Sequence, residues 1–233
     1  MKKRSRPSTL VDGRFRDNWL TIAQRSIEAV GLSTSVCRLC RAHTQNNDLC
    51  AACMADLPWY SVPWTRQTPY LDDVWVGFQF TYPIRQLVHR AKYRRDIVCA
   101  RFLGEVLAGR LMRSVIVPDK AVLFPVPITR RRLLVRGFNQ AVELSFPIMR
   151  CLGLSIDVVS IYQPHPRRRQ SKLDGVSRRA NLRGAFKHRH KITVETAIIV
   201  DDVLTTGATV SAMARALKAA GAKSVVACVL AAV

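Results

Sequence analysis

Residues 196–200, Thr-Ala-Ile-Ile-Val, run almost wholly apolar, and two carboxylates, Asp201 and Asp202, follow at once. A half-buried strand alternates apolar and polar positions. An unbroken run is the pattern of a strand covered on both faces, as in a parallel sheet. After a short loop, Val210, Met213, Ala214 and Leu217 repeat at helical spacing until Gly221 stops them, and a second apolar run occupies 224–230. Strand, helix and strand in this order make a right-handed βαβ unit and commit the chain to an α/β fold.

The loop between the first run and the helix is Thr205, Thr206, Gly207, Ala208 and Thr209. In open α/β sheets ligands bind beyond the carboxyl ends of the strands. Backbone N–H groups at a helix start, with the helix dipole, attract a phosphate. Gly207 lets the backbone approach closely, and the threonines add hydroxyl donors. Asp201 and Asp202 are placed to accept hydrogen bonds from a sugar diol, directly or through Mg²⁺. A diol beside a phosphate is the geometry of a ribose 5-phosphate. A plain helix cap with solvent-facing carboxylates accounts for one threonine but not for the whole run.

Elsewhere the pattern predicts strands at 74–80, 121–125 and 156–160 and a helix at 139–151. Ile84, Leu87, Val88 and Ala91, then Leu103, Val106, Leu107 and Leu111, predict two consecutive helices broken near Arg95 and Asp96. Trp19, Ile22, Ala23, Ile27 and Val30 share one face of a short amphipathic helix. Pro58, Pro63 and Pro69 mark a connector. The expected organisation is a basic tail at 1–18, a helix and cysteine module at 19–62, and the α/β domain at 63–233. The chain has 233 residues, 48% of them hydrophobic, enough for a real core. No uncharged apolar run approaches the ~18 residues that cross a bilayer, and no secretory signal pattern opens the chain. A soluble cytoplasmic protein without membrane insertion is expected.

Cys37 and Cys40, then Cys50 and Cys53, form two C-x-x-C pairs nine residues apart. Each pair turns two thiolates toward one side of a metal, and together they close a tetrahedral Zn²⁺ shell. With no open position such a site is structural. Two disulfides or redox dithiols are the alternatives, the former at odds with an intracellular chain, and His43 is an alternative fourth ligand. Cys99, Cys151 and Cys228 stand alone in apolar stretches and read as buried small hydrophobes.

The net charge is +21, concentrated at 130–191, where fifteen Lys and Arg face three Asp and Glu. Such a stretch favours phosphate-rich partners, a nucleic acid or a polyphosphorylated metabolite; a solvated surface is the plainer alternative.

The segment from Ile198 through Thr209 resembles the 5-phosphoribosyl-1-pyrophosphate (PRPP) motif of type I phosphoribosyltransferases. Phe124-Pro125-Val126-Pro127-Ile128, Arg136-Gly137-Phe138-Asn139-Gln140, Gln170 with Leu173, and Arg178, Asn181, Ala185 and Phe186 are similar to the ComF/GntX competence family within that fold. So are the stretch from Tyr82 to Asp96, with Lys92-Tyr93 inside it, and the four-cysteine module. Two positions depart: Arg95 replaces a small residue before the Asp, and Arg167 stands where Thr is common. The resemblance implies a type I phosphoribosyltransferase-like parallel sheet flanked by helices, with a small zinc-ribbon-like module. It implies PRPP bound with Mg²⁺, its 5′-phosphate held by Thr205, Thr206, Gly207, Ala208 and Thr209. Asp201 and Asp202, the catalytic positions, would hold the ribose hydroxyls. Val126, Pro127, Ile128 and Thr129 would face the pyrophosphate, in a strained turn aiming N–H groups at the anion. Arg136, Arg168, Arg169, Lys172 and Arg178 would be lid cations or, equally, a nucleic-acid-facing surface. Asn139 and Gln140 would meet the ligand or cap the following helix.

Two functions follow from the resemblance. In one, the protein acts in DNA uptake and natural transformation, handling internalised single-stranded DNA, with competence-machinery proteins as partners. In the other, it is a Mg²⁺-dependent phosphoribosyltransferase on an unidentified nucleobase-like acceptor. No aromatic clamp for a base is evident near the C-terminus. Trp59, Tyr60 and Trp64 near the cysteines could stack on DNA bases or pack between the two domains.

Overall fold

The computed structural model describes residues 35–44, 49–61, 68–118, 120–163 and 185–233. The expected helix at 19–30, Trp64, and the basic positions Arg167, Arg168, Arg169, Lys172 and Arg178 lie outside the described residues.

A short antiparallel pair, β1 (Ser35–Val36) and β2 (His43–Thr44), leads to the one-turn helix α1 (Ala51–Ala55). Then come β3 (Asp73–Gln79), α2 (Ile84–Tyr93), α3 (Ile97–Ser114), β4 (Val122–Pro125), α4 (Arg130–Arg136), α5 (Gln140–Leu152), β5 (Ser155–Ile156), β6 (Ile161–Tyr162), β7 (Lys187–His188), β8 (Thr196–Leu204), α6 (Ala208–Ala220) and β9 (Ser224–Ala232). Five strands form one parallel sheet in the order β3-β9-β8-β4-β5. Helices flank the sheet, as expected.

The apolar run at the start of β8 is buried on both faces. Ile198 and Val200 join the core under α2, α3 and α5, while Ala197 and Ile199 join the core under α6. The strand-helix-strand order and the break between α2 and α3 also follow the sequence. At that break Asp96 accepts a hydrogen bond from the Cys99 N–H at 2.8 Å and so starts α3.

The structure also differs from expectation at several points. The strand expected at 156–160 ends at Ile156, because the Asp157 carboxylate accepts the N–H groups of Val159 and Ser160, each at 2.8 Å, and folds the chain into a turn. The chain then pairs β6 with β7 outside the main sheet. Helix α4 has no apolar stripe to announce it, for none of its residues is buried. Thr129 caps it, accepting the Arg132 N–H, and Gly137 closes it at φ 85. Cys99 and Cys228 are buried as expected, but Cys151, at the end of α5, is exposed. Among the described residues no helix is long and apolar enough to cross a membrane.

Helices α3 and α5 pack so closely at Gly104 that an added Cβ would lie 2.6 Å from the Leu144 carbonyl oxygen. Gly104→Ala is expected to destabilise the protein by about 1–3 kcal/mol through overpacking. Gly109→Ala on the same helix meets only the Arg113 side chain, at 4.0 Å, and is expected to stabilise by about 0.5–1 kcal/mol. Urea unfolding of the two variants checks the opposite signs.

Candidate functional site

Strand β4 connects onward to β5, and β8 to β9, which lie on opposite sides of the β4–β8 pair. The two connections diverge there, so a crevice opens beyond the carboxyl ends of these two strands. The expected pyrophosphate turn and phosphate loop both leave the sheet at this crevice. The turn is tied down at its first residue. The Val126 N–H donates to the Val200 carbonyl at 2.9 Å, and the Asn139 side-chain amide donates to the Val126 carbonyl at 3.0 Å. Asn139 also caps α5 by accepting the Ala141 N–H. Residues 126–129 contain no cis peptide and no left-handed residue. Val126 spends its N–H inside the sheet and Pro127 has none, so the amides of the turn that remain for an anion are those of Ile128 and Thr129.

The first strand of the motif does not stop at its carboxylates. It continues through Asp201 and Asp202 to Leu204, leaving Thr205, Thr206 and Gly207 as the loop. Side chains alternate along a strand, so the carboxylates have different surroundings. Asp202 faces α2, where the Lys92 ammonium contacts both carboxylate oxygens, at 2.9 and 2.8 Å. Asp201 lies half-buried. Burial and the neighbouring Asp202 charge push its carboxyl up to about 7, against the lowering effect of the Asp202 N–H, Lys92 and Arg132. One carboxylate is neutralised by a cation, and its neighbour is poised to hold a proton near neutrality.

Gly207 sits at φ 75, a conformation that other residues rarely adopt, and its Cα faces Thr68 so closely that a Cβ would lie 2.6 Å from Thr68 Cγ2. Helix α6 starts directly after it. The Thr206 hydroxyl accepts the Ala208 N–H at 3.4 Å, while Thr205 and Thr206 are exposed and Ala208 and Thr209 half-buried.

Cys37, Cys40, Cys50 and Cys53 bring their sulfurs within 4.8 Å of one another. A tetrahedron with metal–sulfur bonds of about 2.3 Å has sulfurs about 3.8 Å apart, and the Cys40–Cys50 separation is 3.6 Å. Burial raises the Cys37 thiol, but N–H groups of Cys50, Cys40 and Leu39 aimed at its sulfur prevail and bring it to about 6. Donor set and spacing fit a metal such as zinc. Trp59 and Tyr60, expected either on DNA or in packing, are packed. Trp59 stacks on Phe78 at 4.6 Å with Arg110 over its ring, and the Tyr60 N–H joins the Gly77 carbonyl.

Residues 136–233 match the phosphoribosyl transferase domain family. The DNA utilization protein YhgH of Salmonella typhimurium is 33% identical over 203 residues, covering 84% of each chain. The chain belongs to the ComF family. YhgH of Escherichia coli K12 is 30% identical over 197 residues, 82% of this chain and 81% of its own. Competence protein F of Haemophilus influenzae is 25% identical over 204 residues, 82% of this chain and 87% of its own.

In this ComF-type chain the crevice gathers Asp201, Asp202, the threonine loop and the 126–129 turn. Arg136 lies further along α4, bonded to the Gln140 side chain, with its guanidinium 5.9 Å from the Tyr93 ring centre. Two cations near the carboxylates, Lys92 and Arg132, were not among the residues the sequence singled out for the site. The motif containing Lys92 is visible in the sequence, but its partner lies 110 residues away.

Asp201 titrates at about 7 in the folded protein against an ordinary 3.8. A raised carboxyl contributes stability that is full below about 4 and is lost as pH rises through about 7. Asp201→Asn is therefore expected to gain stability relative to the parent between pH 4.5 and pH 8, by more than about 1 kcal/mol. Urea midpoints at the two pH values measure this; parallel shifts in both proteins would contradict it.

Proposed function

We propose that this chain is a PRPP-binding, phosphoribosyltransferase-like protein of the ComF type that acts in DNA uptake, handling internalised single-stranded DNA in the cytoplasm. The observation that carries the PRPP reading is the crevice itself: two carboxylates at the end of β8, then a threonine-glycine loop opening α6, beside the anchored turn after β4. Thr205, Thr206, Gly207, Ala208 and Thr209 would hold the 5′-phosphate through backbone N–H groups and hydroxyls. Asp201 and Asp202 would receive the ribose hydroxyls, and Ile128 and Thr129 would meet the pyrophosphate. A hard cation at the carboxylate pair would take the place of the Lys92 ammonium on Asp202. When bound with PRPP, Mg²⁺ supplies charge neutralisation at the pyrophosphate. Zn²⁺ would occupy the four sulfurs as a structural ion. The names of the relatives support the DNA role, as does the +21 charge, which suits a polyanionic partner.

Calorimetric titration with PRPP and Mg²⁺ tests the pocket. Micromolar binding is expected for the parent and none for Asp201→Asn with Asp202→Asn, whose circular dichroism should be unchanged; equal affinity in both proteins refutes the assignment. Metal analysis of freshly purified protein is expected to find about one zinc per chain, and finding none removes that site.

A further inference from the structure

Helix α2 turns Ile84, Leu87, Val88 and Ala91 into the core. Its outer side borders an open groove of about 680 Å³, within the range of ligand sites. Phe80, Tyr82, Arg85, His89, Lys92 and Tyr93 line it. Arg85, His89 and Tyr93 follow one another at four-residue spacing and form a single stripe. Tyr82 and Tyr93 are 69% and 67% exposed and so present aromatic surface to solvent beside the groove. His89 and Tyr93 lie ring to ring at 4.5 Å, and the Arg136 guanidinium sits 5.9 Å from the Tyr93 ring centre. Among the described residues, none that lines the groove is acidic.

We propose that this groove binds single-stranded nucleic acid, its bases stacking on Tyr82 and Tyr93 and its phosphates meeting Arg85 and Arg136. The proposal rests on the DNA-handling reading above and names the surface that would do it. Aromatic faces beside cations are what a strand with unpaired bases requires, and Thr81, Gln86 and His89 in the same lining add polar groups along it. A duplex keeps its base faces stacked inside and offers the two tyrosines nothing. Lys92 belongs to both places, for it lines the groove while its ammonium holds Asp202 in the crevice. A phosphate in the groove competes with Asp202 for that ammonium, so strand binding and occupancy of the carboxylate pair are coupled through one side chain.

Fluorescence anisotropy of a labelled dT20 oligonucleotide on the full chain tests this. Tyr82→Ala with Tyr93→Ala is expected to weaken binding at least tenfold, and Tyr82→Phe with Tyr93→Phe to stay within about twofold, because a phenyl ring still stacks. Both tyrosines are mostly exposed, so circular dichroism should not change. Arg85→Gln should flatten the salt dependence. PRPP with Mg²⁺ should alter the parent's dT20 affinity and leave that of Lys92→Met unaltered. If the parent does not bind dT20, the DNA-handling reading fails together with the groove. If parent and double alanine variant bind equally, the groove assignment fails while that reading stands. Displacement by dTMP as effective per nucleotide as by dT20 identifies a mononucleotide site and overturns the strand proposal. A parent unresponsive to PRPP overturns the Lys92 link.

Discussion

The centre of the sheet imposes one demand that the surrounding structure answers. Strand β8 must be apolar on both faces to lie under α2, α3 and α5 on one side and α6 on the other, yet it carries two adjacent carboxylates into the crevice. A carboxylate half out of water is tolerated only with a cation, a proton or hydrogen-bond donors. The pleat separates the two, so they cannot share one solution. Asp202 takes the ammonium of Lys92, which sits in the last turn of α2 at the right depth only because the apolar stripe of α2 docks on the same face of the sheet. Asp201 relies on one backbone donor and more distant cations, and its carboxyl rises. Adjacent in sequence, the two acids offer a ligand chemically unlike groups.

The crevice is fixed by contacts that the ligand would not need to make. Val126 is locked to β8, Asn139 ties the same residue to the start of α5, and α5 is held to α3 by Gly104 and by the Arg101–Glu143 ion pair at 2.7 Å. The turn after β4 is therefore positioned by rigid elements and owes little to its own loop chemistry. Preorganisation of this kind lets a flexible anion bind without first ordering the protein.

What the sequence disclosed and what it withheld divide along physical lines. The β8–α6–β9 unit was legible because burial on both faces leaves an unbroken apolar run, and α6 because its stripe has the helical period. The four cysteines were legible because knuckle spacing is local. Helix α4 was not, since a helix with no buried residue writes no apolar period, and its arginines read simply as charge. The early end of β5 was hidden in one side chain, Asp157, competing for backbone N–H groups. The role of Lys92 was hidden because ion pairs between distant segments leave no periodic trace. The difference between Asp201 and Asp202 follows from the strand continuing past Val200, a boundary that composition alone marked too early.

The cysteine module is built into the main hydrophobic core. Cys37, Leu49 and Leu57 are buried in the same cluster as Phe78, Phe102 and Leu230, and the Arg38 guanidinium lies 5.7 Å from the Phe102 ring centre. Cys37, with Cys50 and Cys53 packed against the same cluster, thus anchors one wall of the interior that supports α3 and the edge strand β3. Oxidation at those sulfurs would disturb cover over the α/β core itself, so thiol chemistry at the rim of the molecule bears on the durability of its centre.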